Sequence, residues 1–384
     1  MIEFLFELST LDKIILIVVL FGINILISFF QRIFISRYYK KINSREQAME
    51  KIRGINRYIV IPIRIITGII LYFLLFDVCY EYKYWLLMIC ILMYVSIMLM
   101  CIICNSIVYG VLKEIRDVEE STSERIITTI KVITFQSIVV FILGISIQFI
   151  FDLNTDSQLM RLGMILIITI VYIIVINLIF PKIIIWIVKC YEMEDCELKR
   201  ELITMGKDVC YTDVNIYIWK TKKQKIANAM ITGIGEKYIY ISDYLLNNES
   251  IEEIKAVIAH ELGHVKYNHI RKRILYLCFS IIVIISTPFL FETFYWWADS
   301  LIVFIVILCE FIILFLIINR FISRRQEKQA DEFVLERGCN IEVYKSALLK
   351  LAQLNDTKVK KNKIDEKFET HPSIENRIKH LENK

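Results

Sequence analysis

Seven runs of apolar residues constrain this chain more than anything else in it. They lie at approximately 14–34, 58–78, 85–107, 127–150, 162–180, 274–291 and 301–319. A helix rises about 1.5 Å per residue, so runs of this length can cross the roughly 30 Å of a bilayer's hydrocarbon. There the backbone N–H and C=O groups must be satisfied without water, and a run of about twenty residues does this as a helix. The sequence therefore predicts an α-helical polytopic membrane protein with about seven transmembrane helices. The acidic lead MIEFLFELSTLDK has neither a basic n-region nor a small-residue cleavage site, so the first run is expected to be a retained span and not a signal peptide.

Composition agrees, with 56% hydrophobic residues over 384 positions, too apolar for a soluble chain of this length. Lysine and arginine in short loops set the orientation. Residues 31–57 carry eight of them, including Arg32, Arg37, Lys40, Lys41 and Arg45, whereas 79–84 and 152–161 carry one each and 292–300 none. The amino terminus is thus expected outside. After seven crossings the carboxyl terminus is inside, where Lys182, Lys189, Arg320, Arg324 and Arg325 gather. The loop at 112–126 is acidic on balance, but acidic residues weigh little in this rule. The net charge of +5 is then a cytoplasmic-face charge beside anionic lipid and calls for no nucleic acid. Arg64 and Lys131, near span ends, are expected to snorkel to the interface, and Tyr295, Trp296 and Trp297 to form an interfacial belt. The ten cysteines are scattered, and Cys101 and Cys104 fall inside an apolar run, where packing is the expected role.

The first sizeable polar segment is 191–270. A helix is expected in EDCELKRELITMGKDV. Three runs rich in β-branched and aromatic residues follow, VNIYIWK, KIANAMITGIG and KYIYISDYLL, with turn signals at Lys222–Gln224 and Gly233–Glu236. Their alternation predicts a small antiparallel sheet. Next comes a helix through AVIAHELGHVKYNH, capped by Asn248 or Ser250, with an apolar stripe of Ile251, Ile254, Val257 and Ile258.

That helix carries His260, Glu261 and His264. Residues four apart on a helix share a face, so both imidazoles can reach one ion while Glu261 projects beside it, a pattern that suits zinc. Beyond the last span, SRRQEKQADEFVLERG places Glu327 and Asp331 one turn apart on another helix that Gly338 terminates. A catalytic zinc commonly has three protein ligands and keeps a fourth position for water. Glu327 is the expected third ligand, and Asp331 is placed to accept the second ring N–H of a ligating histidine. His269 and His380 have no assigned role and are expected at the surface. Glu310, inside the seventh span, is expected to face a wet cavity or a polar partner such as Asn105, Gln136 or Asn177.

HELGH, then EKQAD after two spans, then THPSIENRI, resembles the integral-membrane zinc peptidases that include the CAAX prenyl endopeptidases and the HtpX heat-shock proteases. Five spans before HELGH and two after look like the prenyl-endopeptidase branch. The resemblance implies a cytoplasmic α+β zinc peptidase domain of the gluzincin type. It implies one Zn2+ per chain on His260, His264 and Glu327, with Glu261 as general base and Asp331 behind a ligand. It also implies that Asn228 in an edge strand holds substrate backbone, that His371 and Arg377 face the reacting carbonyl, and that the spans enclose a chamber.

The expected organisation is a five-span region at 1–190, a first catalytic part at 191–273, a transmembrane hairpin at 274–319 and a second catalytic part at 320–384. The expected activity is hydrolysis of peptide bonds in membrane-associated or lipidated proteins, in contact with membrane lipids. A quality-control protease of the HtpX kind and a non-catalytic, zinc-stabilised receptor or scaffold are the alternatives. Glu261 weighs against the last, because a structural zinc site needs no base. The membrane expected is a bacterial plasma membrane, or the endoplasmic reticulum in a eukaryote.

Overall fold

All seven apolar runs are helical in the computed structural model, which describes residues 8–79, 82, 84–153, 157–210, 212–294, 300–361, 366, 369 and 371–383. The chain divides into two units, Met1–Asn154 and Thr155–Lys384.

The first unit contains α1 (Thr10–Ile42), α2 (Arg45–Ile55), α3 (Ile61–Cys79), α4 (Trp85–Arg116) and α5 (Thr122–Asp152), with a π-helical turn at Asn56–Val60 joining α2 to α3. Serines start three of them. Ser9, Ser44 and Ser121 each accept a backbone N–H of the first turn, and Glu124 returns the bond to Ser121. Polar groups among the spans find one another, since an unpaired one in an apolar medium costs several kcal/mol (about 4–8 into hydrocarbon). Asn24 donates to Thr67 at 2.9 Å, Gln31 donates to Asn56 at 2.8 Å, and Lys13 pairs with Asp77. Arg64 reaches Asn105 at 3.4 Å. Large apolar side chains such as Val18 and Phe30, 64% and 65% exposed, have no protein over them, as a lipid-facing surface requires.

The second unit runs α6 (Gln158–Ile187), β1 (Cys190–Glu192), α7 (Glu197–Cys210), β2 (Val214–Trp219), β3 (Ala229–Thr232), β4 (Lys237–Ser242), α8 (Asp243–Asn248), α9 (Ile251–Lys266), α10 (His269–Phe294), α11 (Ser300–Phe311), α12 (Asn319–Glu336), α13 (Ile341–Leu354) and α14 (Ile374–Glu382). A π-helical stretch at Ile312–Ile318 joins α11 to α12. The expected aromatic belt at Tyr295, Trp296 and Trp297 lies outside the described residues. Glu310 accepts from the Thr287 hydroxyl at 2.8 and 2.9 Å, so its partner comes from the neighbouring helix of the hairpin and is none of the three expected.

The sheet departs from the antiparallel expectation. Its order is β1-β2-β4-β3, and β2 and β4 are parallel, with Ile216 opposite Ile239. The reason is in β4, which is apolar on both faces. Ile239 and Ile241 enter the main core with Leu202, Ile254 and Ile258, while Tyr238 and Tyr240 pack on the other side with Ile184 of α6. A strand buried on both faces belongs at the centre, so β3 is displaced to the edge. Tyr240 also donates its hydroxyl to the Pro181 carbonyl at 2.6 Å, tying the sheet to the end of α6. Gly233, at φ +106, allows the tight return from β3 to β4 that a side chain would block.

Ser250 and Glu253 form a reciprocal cap at the start of α9, as the sequence allowed. Ile254, Val257 and Ile258 enter the core, each worth about 1.5–3 kcal/mol by burial, while Ile251 remains exposed. Next to this cap Glu249 is buried beside the Glu253 carboxylate. Burial, reinforced by the neighbouring Glu253, pushes its pKa up to about 8. Glu253, despite its own burial, is held at about 2 by Lys350 and Ser346 of α13. The folded chain thus keeps a proton on Glu249 that the unfolded chain releases near its ordinary 4.5. Stability tied to this group is whole below that value and is lost as pH rises toward about 8. Glu249→Gln, which needs no proton, is expected to unfold at a higher temperature than wild type above about pH 8, with the gap closing toward about pH 4.5. Thermal unfolding in detergent across that range checks it.

Candidate metal centre

The site is assembled where α9 and α12 touch. Gly263 makes the contact possible: a Cβ there would lie 2.9 Å from the Ala330 Cα and 3.1 Å from its carbonyl oxygen. With the helices this close, Glu327, one turn before Ala330, faces the two histidines of α9. Its carboxylate oxygens lie 3.6 Å from His260 Nε2 and 3.5 Å from His264 Nε2, and one atom from each of the three residues falls within 4.8 Å of the others. Tetrahedral zinc, with bonds of about 2.0–2.2 Å to such ligands, needs donor atoms about 3.4 Å apart. The spacing fits. So does the chemistry: Glu327 is 1% exposed, and its buried Oε2 makes no aligned hydrogen bond, a need that a cation would satisfy.

Behind His260 lies a closed polar network. His260 Nδ1 is 2.9 Å from Asp331 Oδ1, the arrangement expected when Nε2 faces a metal and Nδ1 keeps its proton. Asp331, fully buried, also receives Arg377 Nε at 2.9 Å, Arg377 Nη2 at 2.6 Å and the Tyr344 hydroxyl at 2.7 Å. Arg377 Nη2 donates to Tyr344 as well, at 2.8 Å. The guanidinium is therefore engaged on the Nδ1 side of His260. The resemblance had implied that it faces a reacting carbonyl.

Glu261 points the other way, toward the sheet, where the backbone of Ile231 in edge strand β3 hydrogen-bonds its carboxylate. Burial pushes its pKa upward, in the direction a general base near neutral pH needs. Asn228 stands exposed just before β3, with its backbone paired to Ser242 in both directions at 2.9 Å. His371, its side chain 63% exposed, brings Nδ1 to 2.9 Å from Glu327 Oε2 without an aligned hydrogen bond.

The sequence model of peptidase family M48 matches residues 199–384, the stretch that holds every one of these side chains. That stretch is just under half of the chain. Its sequence is 34% identical over 87 residues to CAAX prenyl protease 1 of Saccharomyces cerevisiae, covering 22% of this chain and 19% of that one. It is 29% identical over 161 residues to the CAAX prenyl protease 1 homolog of Dictyostelium discoideum, 38% of each. These matches span well under half the length of either relative. The crystal structure of S. mikatae Ste24p superposes with a TM-score of 0.62 at 18% identity, over 95% of this chain and 96% of that one, and shows a shared fold.

Two side chains beside the candidate metal centre escape a reading of the sequence. Tyr344 lies on a helix whose spacing shows only an ordinary apolar stripe, so nothing local marks it. His269, expected at the surface, is 1% exposed, with Nδ1 2.8 Å from His264 Nδ1. One signal was available: it lies five residues beyond a candidate ligand in a chain with five histidines. His380 is half-buried and paired with Glu332 at 2.7 Å.

Gly263 in HELGH now has a packing reason. Gly263→Ala is expected to force α9 and α12 apart, cost roughly 1–3 kcal/mol and weaken metal binding by moving Glu327 off the histidines. Thermal unfolding and zinc content, measured together, check it.

Proposed function

We propose that this chain is a membrane-embedded zinc endopeptidase that hydrolyses peptide bonds of membrane-associated or lipidated proteins at the cytoplasmic face. The observation that carries the reading is the His260, His264 and Glu327 group with Glu261 on the same helix, within an M48 domain on a chain of seven apolar helices. One zinc per chain is held by those three residues. Bound there, zinc supplies a Lewis acid and eases deprotonation of water near neutral pH.

The protein's own groups do the rest. Glu261 takes a proton from the attacking water and passes it to the leaving amine. Edge strand β3 leaves one side unpaired, so a substrate segment adds to it as a further strand, and Asn228 holds the substrate backbone at its start. This favours an extended peptide over a small amide. His371, at the open side of Glu327, donates to the oxygen on which charge develops. Arg377 acts through Asp331, which keeps His260 in the tautomer that leaves Nε2 free.

A lipidated substrate is favoured by the names of the two relatives, both CAAX prenyl proteases. The lysine and arginine bias of the loops supports an outside amino terminus and an inside catalytic domain. The test is metal quantification of the detergent-purified protein, together with cleavage of a peptide mixture offered with and without a carboxyl-terminal isoprenoid cysteine. About one zinc per chain and cleavage confined to a few lipidated sequences are expected. A broad profile indifferent to lipid would move the reading to quality control, and zinc binding with no cleavage of any peptide would remove the enzyme reading.

A further inference from the structure

His269 is the first residue of α10, the membrane helix that follows the catalytic one, after a break at Asn268 with φ +55. Three side-chain contacts join this first stretch to α12. His269 Nε2 is 3.1 Å from Gln329 Oε1, Arg273 Nε donates to Gln326 at 2.7 Å, and Arg273 Nη2 donates to Ser323 at 3.1 Å. The Tyr267 ring stacks on His269, with centroids 5.8 Å apart. The imidazole is thus clamped on its face and at both nitrogens, in a position with almost no solvent exposure.

We propose that His269 is a positioning residue for the metal centre: a neutral imidazole that accepts the Nδ1 proton of His264 and so directs the His264 Nε2 lone pair at the ion. The inference rests on the zinc reading above. Its logic is proton counting. Between two Nδ1 atoms 2.8 Å apart there is room for one proton. A metal on His264 Nε2 requires that nitrogen to be bare, so the proton of neutral His264 sits on Nδ1 and is donated to His269. His269 Nδ1 is then the acceptor, its own proton is on Nε2, and Gln329 Oε1 is there to receive it. Each tautomer follows from the one before, and no group in the row carries a charge.

The two ligand histidines are therefore supported differently. His260 leans on a carboxylate whose charge Arg377 balances, and His264 leans on a neutral ring. The row also ties metal geometry to the start of α10, so a shift of that membrane helix against α12 would release the acceptor from His264.

The experiment compares wild type, His269→Leu, His269→Asn and Gln329→Leu in the full-length protein. Readouts are zinc affinity by chelator competition and the melting temperature of the metal-free form. His269→Leu is expected to weaken zinc binding by about 10–100-fold. His269→Asn, whose amide oxygen can accept and whose amide nitrogen can donate to Gln329, is expected to recover most of that loss. Gln329→Leu, which frees His269 to adopt the other tautomer, is expected to weaken zinc binding by a smaller factor. The metal-free melting temperatures of the folded variants should stay close to wild type. Zinc affinity unchanged in His269→Leu would overturn the proposal, and so would an asparagine variant that folds yet binds no better than the leucine one. A wild-type protein that takes up no zinc would instead overturn the metal reading beneath it.

Discussion

Glu261→Gln is expected to keep its zinc and lose its turnover. Glutamine has nearly the shape of glutamate, can still meet the Ile231 backbone and leaves untouched the group proposed to hold the ion, His260, His264 and Glu327. What it removes is the only carboxylate on α9 placed beside the metal group as a base. A positioned general acid-base group contributes about 10²–10⁴-fold to rate, and Glu261 serves twice, at water attack and at amine departure, so a loss toward the upper end is expected. Zinc per chain and cleavage rate, measured on the same preparations, check it. Cleavage that survives the substitution would sink the assignment of the base.

Asp331→Ala is expected to damage both the metal site and the fold. Three residues converge on this fully buried carboxylate, His260, Tyr344 and Arg377, the last through two N–H groups. Without it the His260 proton has lost its acceptor, and loss of such a partner typically weakens metal binding by about 10–100-fold. Arg377, its side chain 13% exposed, loses the carboxylate it is bonded to, a change that costs about 3–5 kcal/mol when one partner of a buried pair is deleted. The two effects can be separated. Asp331→Leu combined with Arg377→Leu should recover much of the stability lost in Asp331→Leu alone while leaving zinc binding weak. Unfolding of the metal-free variants reads the first effect, and chelator competition reads the second. If the double variant were no more stable than the single one, the stranded charge would not be the cause.

These expectations draw on what the sequence shows and what it hides. A residue's neighbours within one helix are set by the pitch of the helix, so His260, Glu261 and His264 could be placed on one turn, and Glu327 and Asp331 on another, from spacing alone. Capping is equally local, and the Ser250 and Glu253 pair is where the sequence put it. Long apolar runs state their own solvent, and all seven proved helical.

Which elements lie against which is a different kind of question. The antiparallel expectation failed because alternation within a strand says which faces are apolar, while strand order depends on what is available to cover them; β4, covered by helices on one face and by α6 on the other, took the centre. Tyr344 and His269 were hidden for the same reason. Tyr344 meets Asp331, 13 positions away, and His269 meets His264, 5 positions away, across helix packing that no local period records. By itself the sequence determined the seven apolar helices and the placing of His260, Glu261 and His264 on one turn, because those follow from backbone geometry over a few residues and from the incompatibility of bare backbone with hydrocarbon. Only the tertiary structure decided what stands behind each ligand, because a hydrogen bond between distant residues exists only once close packing, here of Gly263 on Ala330, has brought their helices together.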